Sequence, residues 1–384
     1  MNSTTITAID DVGERAAVVP RPHQHMPSLD GLRGVAIILV VVYHFLASMH
    51  AEFTINQKLA RWSELGWSGV DLFFVLSGFL ITGILYDAKN TPRFFRNFYA
   101  RRALRIFPLY YTALAVVIAM TPLLMHMKLQ GTANPGWISI YATNFVIAAK
   151  GAGSFGILDH FWSLAVEEHF YFVWPAIVFL LSRGRLMVVA ACACVIAPCL
   201  RYAAWDGGAS LPVGAYMLTP MRMDSLAAGA FIALMVRGPK GMTGLIKPSL
   251  IVAGTALAMF LAMVLVRQTK SSMDPWIGIL GLSTLWLFYG ATLILALNWT
   301  PLKTVMSLPV LRWFGKYSYG MYVWHPIIFM IVFHNDVARG IRHGGGPVQM
   351  LATGAVALGL MFAITLASWH LWEKQFLKFK GRFA

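Results

Sequence analysis

The stretch SLDGLRGVAIILVVVYHF, Ser28–Phe45, carries an ionisable residue on each side of an uncharged apolar run. Arg33 precedes this run and His44 follows it, with ten residues between them. At about 100° per residue both side chains share one face of an α-helix, and at about 1.5 Å per residue they stand roughly 16 Å apart along its axis. If Arg33 marks a membrane surface, His44 lies near the middle of the bilayer, where an ionisable side chain indicates a functional site.

The composition of the whole chain is that of a polytopic membrane protein. Of its 384 residues, 58% are hydrophobic and 12% are charged, with a mean hydropathy of +0.64, whereas soluble domains carry about 25% charged residues. The net charge is +15, and most of the basic residues fall between apolar segments. No nucleic-acid-binding motif accompanies them. We therefore expect membrane lipids, and not nucleic acid, as partners. The three cysteines share one apolar segment, which predicts neither a disulfide framework nor a metal site.

About ten apolar segments are long enough to span a bilayer. Their approximate limits are 32–50, 67–87, 106–125, 161–182, 186–204, 217–236, 248–266, 276–297, 317–335 and 347–371. The segment 136–149 is a weaker candidate, and its polar residues fit an interfacial or re-entrant piece equally well. We predict an all-α, polytopic transmembrane helix bundle.

The basic residues predict the orientation of this bundle. Alternating the loops of ten spans puts 21 of the 31 Lys and Arg residues on the side with both termini and nine on the other, with Arg222 inside a span. Because such an excess marks the cytoplasmic side, we predict that both termini are cytoplasmic. We further predict a flexible tail over residues 1–27, a transmembrane domain over 28–373 and a short basic tail over 374–384, without an appended soluble domain.

Two other predicted spans also carry ionisable residues at mid-depth. The segment FWSLAVEEHFYFVWP places Glu167 and Glu168 roughly 10 Å from the outer surface, and YSYGMYVWHP places His325 roughly 12 Å from the inner one. Together with His44, three helices bring ionisable groups to similar depth in a core about 30 Å thick. Because such groups are costly inside a membrane, their convergence favours a shared functional site.

Structural roles are the alternative for each of these residues. A lone buried histidine such as His44 is ordinarily hydrogen-bonded between helices. His325 directly precedes Pro326, so a position at a proline kink is its alternative role. Because Glu167 and Glu168 are adjacent, they do not face the same direction on a helix. We expect one of them at the site and the other bracing a neighbouring helix, with an ion pair to Arg222 or Arg33 as the alternative.

The remaining polar residues of the spans suggest helix packing. Arg222 and Asp224 lie near the outer end of the sixth span, where we expect an ion pair between them. Glycines of the second span predict close helix approach, namely Gly69, Gly78 and Gly83.

A second basic feature is the segment RFFRNFYARRALRIFP before the third span. Arg102 and Arg105 are three positions apart and share one face if this segment is helical. Paired guanidinium groups suit phosphates. Contact with anionic lipid heads is the alternative, and composition alone favours it.

These motifs together resemble the acyltransferase-3 family of integral membrane acyltransferases, from about residue 28 to 373. The resemblance lies in their order and spacing, and its parts are SLDGLRG with the Arg33–His44 spacing, GVDLFFVLSGFLIT, RRALRIFP, FWSLAVEEHFYFVWP, RMDSLAAG and GKYSYGMYVWHP. At the end, WHLWEKQFLKF keeps a glutamate, Glu373, but lacks the family's usual arginine and the proline after the acid.

The resemblance implies transfer of an acyl group, most commonly acetyl, from cytoplasmic acetyl-CoA or another acyl-CoA to a carbohydrate or lipid-linked glycan hydroxyl. It further implies a multi-pass protein of a bacterial cytoplasmic (inner) membrane, without a metal. Arg102 and Arg105 are the family's pair implicated in donor use. We expect Arg33 to join them at the donor phosphates, with Asp30 at the coenzyme A or the N-terminal tail.

Acyl transfer to an alcohol needs a base near neutral pH, and histidine suits that task. We hypothesise that His44 is this base or briefly holds the acyl group. Glu167 or Glu168 and His325 would then position the acceptor or relay protons. Two alternatives stay open: an acyltransferase acting on a small molecule such as an antibiotic, and a proton-coupled transporter or exporter, which explains the buried charges but not the arginines.

Overall fold

The computed structural model describes residues 26–52, 63–120, 133–334 and 347–383, and it confirms the all-α, polytopic prediction. This part of the chain is 85% helical and contains no strand. Its body consists of long helices, which we label α1 (Pro27–Glu52), α2 (Gly69–Ala88), α3 (Phe94–Met120), α4 (Trp162–Leu180), α5 (Arg183–Ala203), α6 (Thr219–Met235), α7 (Ile246–Arg267), α8 (Leu282–Asn298), α9 (Pro309–His334) and α10 (Pro347–Ser368).

Each predicted span corresponds to one of these helices, and eight of them are long and apolar enough to cross a membrane. The other two are α6, which has only 17 residues, and α9, whose first half is rich in polar and aromatic side chains. The segment 136–149 forms two short helices, Gly136–Ser139 and Thr143–Lys150, neither of which is long enough to span. The side of the membrane on which each terminus lies stays a prediction, and residues 1–25 of the predicted N-terminal tail lie outside the described residues.

Helix α1 packs most extensively against α9, because glycines remove the side chains between their backbones. A Cβ atom added to Gly34 of α1 would lie 2.1 Å from the carbonyl oxygen of Leu311 in α9. One added to Gly315 of α9 would lie 1.8 Å from the carbonyl oxygen of Asp30. This close approach holds the helix of Arg33 and His44 directly against the helix of His325.

Helices α2 and α6 approach each other in the same way. A Cβ atom on Gly78 would lie 1.8 Å from the carbonyl oxygen of Leu226, and one on Gly229 would lie 2.0 Å from that of Val75. The packing role predicted for Gly78 is therefore confirmed.

Two fully buried ion pairs join α6 to its neighbours, and they differ from the predicted pairing. Arg222 binds Asp71 of α2 with a nitrogen–oxygen distance of 2.8 Å, and Asp224 binds Arg201 of α5 at the same distance. The expected Arg222–Asp224 pair is wrong, because residues two positions apart point away from each other on a helix. Arg201, one of the nine basic residues that the loop count assigned to the side away from the termini, is fully buried. Arg222 is likewise not a partner of either glutamate of α4.

The chain continues past α10 through a π-helical turn, Trp369–Glu373, and a helical turn, Lys374–Leu377. It then forms a 3₁₀ helix, Lys378–Phe383, which packs against α3. The residues predicted to form a basic tail are thus helical through Phe383 and belong to the packed body.

Candidate active site

Helix α1 carries both Arg33 and His44 without interruption, so the spacing predicted from the sequence applies. His44 is half-buried, and its Nδ1 lies 2.9 Å from the carbonyl oxygen of Val40, one turn earlier in the helix. The side chain is therefore held in one orientation by its own helix.

His325 of α9 faces His44 from the neighbouring helix. Its Nε2 lies 3.4 Å from Nδ1 of His44, and the centroids of the two rings are 4.9 Å apart. Its Nδ1 lies 2.9 Å from the carbonyl oxygen of Met321, and its side chain is fully buried. The structure thus brings together these two histidines, which the sequence placed on separate helices.

These contacts assign the protons on the neutral rings. A carbonyl oxygen only accepts hydrogen bonds, so each Nδ1 bonded to one carries the proton. In His44 the Nδ1–H faces both Val40 and Nε2 of His325, which accepts. Nε2 of His44 therefore keeps its lone pair and is the basic atom of the pair.

A third histidine, His160, adjoins this pair and was missed by the sequence analysis. Its ring centroid lies 6.0 Å from that of His325. Its Nδ1 bonds to the carbonyl oxygen of Ile157 at 2.8 Å, which leaves Nε2 unprotonated, and this Nε2 is buried without a partner among the described residues. Its position directly before the FWSLAVEEHF motif was the available signal.

Tyr322 connects the short 3₁₀ helix of His160, Gly156–Phe161, to α9. Its hydroxyl donates to the carbonyl oxygen of His160 at 3.0 Å and shares a short hydrogen bond with Ser163 of α4. We call His44, His160 and His325 the histidine cluster.

Glu167 of α4 does not hydrogen-bond to this cluster. Its two carboxylate oxygens accept hydrogen bonds from Ser77 of α2 at 2.9 Å and from Tyr171 at 2.8 Å. The guanidinium carbon of Arg102 lies 5.2 Å from the centroid of the Tyr171 ring. Glu167 therefore braces α2 against α4 on the side of the arginines.

Glu168 shares none of the hydrogen bonds of Glu167 among the described residues, although it too lies within electrostatic range of Arg102. It lies within electrostatic range of several tyrosine hydroxyls, namely those of Tyr110, Tyr111, Tyr141 and Tyr319. Among the described residues it makes no hydrogen bond to a histidine of the cluster. Neither glutamate thus makes a hydrogen bond to His44 or to another member of the histidine cluster in the described part of the chain.

Three predicted donor residues do come together at one end of the bundle. Arg102 and Arg105 of α3 lie within electrostatic range of each other and of Arg33 in α1. We call these three residues the arginine cluster. Arg33 contacts Asp30 with a nitrogen–oxygen distance of 3.5 Å. The predicted position of Asp30 beside the arginines, and away from His44, agrees with this geometry.

The arginine cluster differs from the buried arginines elsewhere in the chain. Arg201 and Arg222 each hold a carboxylate at 2.8 Å. Arg102 and Arg105, by contrast, form neither an ion pair nor a hydrogen bond with any described residue, although both are partly buried. Their guanidinium donors are therefore available to an anion.

Glu373 lies close to the same end. Its carboxyl accepts a hydrogen bond from Ser368 at 3.0 Å, and the residue is 5% exposed. It lies within electrostatic range of Arg105. The π-helical turn after α10 thus contributes an acid beside the arginine cluster.

Comparison with known proteins identifies the family of the chain. Residues 26–370 match the model of a family described as an acyltransferase domain. The chain is 32% identical over 332 residues to the peptidoglycan O-acetyltransferase OatA of Listeria monocytogenes. The aligned region covers 79% of this chain and 50% of OatA. It is 30% identical over 330 residues to the putative peptidoglycan O-acetyltransferase YrhL of Bacillus subtilis, covering 80% of this chain and 49% of YrhL. A putative O-acetyltransferase of Staphylococcus aureus is 29% identical over 328 residues, which cover 80% of this chain and 51% of that protein.

The chain spans about half the length of these curated relatives, and no solved structure matches it. The family match covers nearly all of the described helices and includes every residue of both clusters. The chain belongs to the acyltransferase-3 family.

Proposed function

We propose that this enzyme transfers an acyl group, most simply acetyl, from cytoplasmic acyl-CoA to a hydroxyl of a carbohydrate or glycan, in a bacterial cytoplasmic membrane. His44 acts as the base, and Arg33, Arg102 and Arg105, with Asp30 beside them, hold the donor phosphates. The glycan acceptor is supported by the relatives whose names specify peptidoglycan O-acetylation.

The contact between His44 and His325 carries this proposal. It leaves Nε2 of His44 unprotonated while Nδ1–H is held by two acceptors. The same helix places Arg33 roughly 16 Å away, a distance on the order of the reach of a pantetheine arm. A donor whose phosphates bind the arginine cluster therefore brings its thioester towards His44.

The reaction balances with these groups alone. Nε2 of His44 takes the proton of the acceptor hydroxyl as its oxygen attacks the thioester carbonyl. The carbon–sulfur bond of the resulting tetrahedral intermediate breaks, and the coenzyme A thiolate leaves. The imidazolium of His44 then returns its proton to the thiolate, which regenerates the neutral ring and releases free thiol.

The neighbouring residues assist in different ways. Nε2 of His325 accepts a hydrogen bond from Nδ1–H of His44, and this bond strengthens when His44 becomes positively charged. Nε2 of His160 accepts a hydrogen bond from the hydroxyl group that receives the acyl group, and this bond orients that hydroxyl. Glu167 fixes α4 against α2 beside Arg102, and Glu168 supplies negative charge near the tyrosines and near the same arginine.

Replacing His44 tests the base. The His44→Ala protein, purified in nanodiscs and given acetyl-CoA and a peptidoglycan fragment, should lose about 10²- to 10⁴-fold in kcat, the usual contribution of a general base. His370→Ala removes an exposed histidine on the π-helical turn after α10 and should keep full activity. Full turnover by a folded His44→Ala protein would exclude His44 as the base.

Replacing the arginines tests the donor. Labelled acetyl-CoA should bind the Arg102→Ala and Arg105→Ala proteins about tenfold or more weakly in each case, because a hydrogen bond to a charged group contributes about 1.5–3 kcal/mol. Arg185→Ala, which removes an exposed arginine at the start of α5, is the matched control. Equal binding by all three variants would refute the donor site.

The acceptor is tested by mass spectrometry of the products. An acetyl ester on a glycan fragment supports the proposed acceptor class. Acetylation of small cytoplasmic alcohols or aminoglycosides, with the glycan unchanged, would replace it. Movement of a solute without a change in its covalent structure would refute acyl transfer itself.

A further inference from the structure

The C-terminal segment returns to the arginine end of the bundle. The helical run Val348–Phe383 has 36 residues. At about 1.5 Å per residue it is roughly 54 Å long, which exceeds a hydrocarbon core of about 30 Å. Its last part, Lys378–Phe383, packs against α3, and the Phe383 ring centroid lies 5.6 Å from the guanidinium carbon of Arg96.

This packing places Lys380 beside the arginine cluster. The ammonium group of Lys380 lies within electrostatic range of all three of its members and of Arg101. Lys380 is half-buried, whereas Lys378 in the same 3₁₀ helix is exposed. Cations from α1, α3 and the C-terminal segment therefore converge on one region.

Most of the converging cations have acids only within electrostatic range, with Glu167 and Glu168 near Arg102 and Glu373 near Arg105. Among the described residues, Arg101, Arg102, Arg105 and Lys380 form no ion pair and no side-chain hydrogen bond, and Nε of Arg101 is buried without a partner. Lys378, by contrast, donates a hydrogen bond to Gln375 at 2.7 Å. Like charges held together and partly removed from water are unfavourable unless an anion binds between them.

We propose that Lys380 binds a phosphate group of the acyl-CoA donor, so that the C-terminal segment forms one wall of the donor site. This inference rests on the proposed function. Coenzyme A carries a diphosphate and a separate 3′-phosphate. The arginine cluster lies on two helices, α1 and α3, and Lys380 adds a cation from a third segment. Arginine provides a planar fork for two phosphate oxygens, whereas lysine provides a mobile point charge that suits a terminal phosphate. Anionic lipid heads present the same phosphate chemistry, and the experiment separates the two sources.

The test measures coenzyme A binding to the full chain in phosphatidylcholine nanodiscs, where no anionic lipid competes. Lys380→Met keeps the aliphatic stem and removes the charge, and it should weaken binding about tenfold, as expected for one charge-assisted hydrogen bond. The KM for acetyl-CoA should rise by a similar factor with kcat unchanged. Lys380→Arg should restore most of the affinity, and Lys378→Met, the matched control, should bind like wild type.

A second probe locates the phosphate. If Lys380 binds the 3′-phosphate, dephospho-coenzyme A should bind wild type and Lys380→Met equally. If Lys380 binds the diphosphate, Lys380→Met should weaken the binding of coenzyme A and of dephospho-coenzyme A by the same factor. Either pattern supports the inference.

The possible failures are distinguishable. One outcome is that Arg102→Ala weakens coenzyme A binding while Lys380→Met binds coenzyme A as tightly as Lys378→Met. This outcome refutes the role of Lys380 and leaves the donor site in place. If wild type does not bind coenzyme A, and phosphatidylglycerol vesicles bind through Lys380 instead, the region is a lipid contact and the proposed function fails as well.

Discussion

Replacing His325 separates a catalytic pair of histidines from a structural contact. His325→Leu fills a similar volume in a fully buried position but removes the nitrogen that lies 3.4 Å from Nδ1 of His44. His44 keeps its hydrogen bond to Val40, so its ring orientation is retained. The change therefore removes one interaction that strengthens only when His44 takes the acceptor's proton.

The size of the effect follows from that interaction. Hydrogen bonds to charged groups contribute about 1.5–3 kcal/mol, and each 1.36 kcal/mol in the barrier is a factor of about ten in rate. The distance of 3.4 Å exceeds the usual range of about 2.7–3.2 Å, so the lower end applies. We expect His325→Leu to lower kcat about tenfold without changing the KM for acetyl-CoA, against about 10²- to 10⁴-fold for loss of the base itself.

The assay is the release of free coenzyme A thiol at saturating acetyl-CoA and acceptor, on protein whose thermal unfolding in detergent matches wild type. His325→Gln, whose side-chain oxygen also accepts hydrogen bonds, should retain more activity than His325→Leu. The double variant His44→Ala/His325→Leu should be no slower than His44→Ala, because the second change then has no base to assist. An unchanged kcat in folded His325→Leu, or additive losses in the double variant, would refute the reasoning.

Three further predictions concern other parts of the molecule. His160→Phe should raise the KM for the acceptor about tenfold, as loss of one hydrogen bond predicts, while the KM for acetyl-CoA stays constant; a change in the donor KM instead would contradict its placement. Asp71→Ala should lower the free energy of unfolding by about 3–5 kcal/mol because it leaves the buried Arg222 charge unpaired, and the double variant Asp71→Ala/Arg222→Met should recover part of this loss in thermal unfolding. Gly78→Leu should prevent folding, since a Cβ there would lie 1.8 Å from a backbone oxygen of α6, whereas Gly254→Leu, with no atom within 4 Å, should express normally.

The helical character of the chain and the location of its long helices were predictable from hydropathy. An apolar run of about 20 residues has no stable arrangement in a bilayer other than a helix, because its backbone groups find no water there. The same periodicity fixed the relation of Arg33 to His44, since both belong to one uninterrupted helix. Local geometry was sufficient wherever a relation lies within one element.

Relations between helices were predicted only in part. The convergence of His44 with His325 followed from similar depth, but depth does not determine direction around a helix. Glu167 is directed to Ser77 and towards Arg102 rather than to the histidines. His160 was missed because it lies in a short 3₁₀ helix, where no long apolar period marks its orientation.

The sequence by itself determined the membrane class, the helices, the Arg33–His44 stripe and, through its motifs, the family. Only the tertiary structure decided that Arg222 pairs with Asp71, that Arg201 pairs with Asp224 and that Lys380 joins the arginines. The physical reason is that helix periodicity sets which residues share a face, whereas the neighbour of that face is set by close packing between distant segments. At the contacts of α1 with α9 and of α2 with α6, glycines permit that packing.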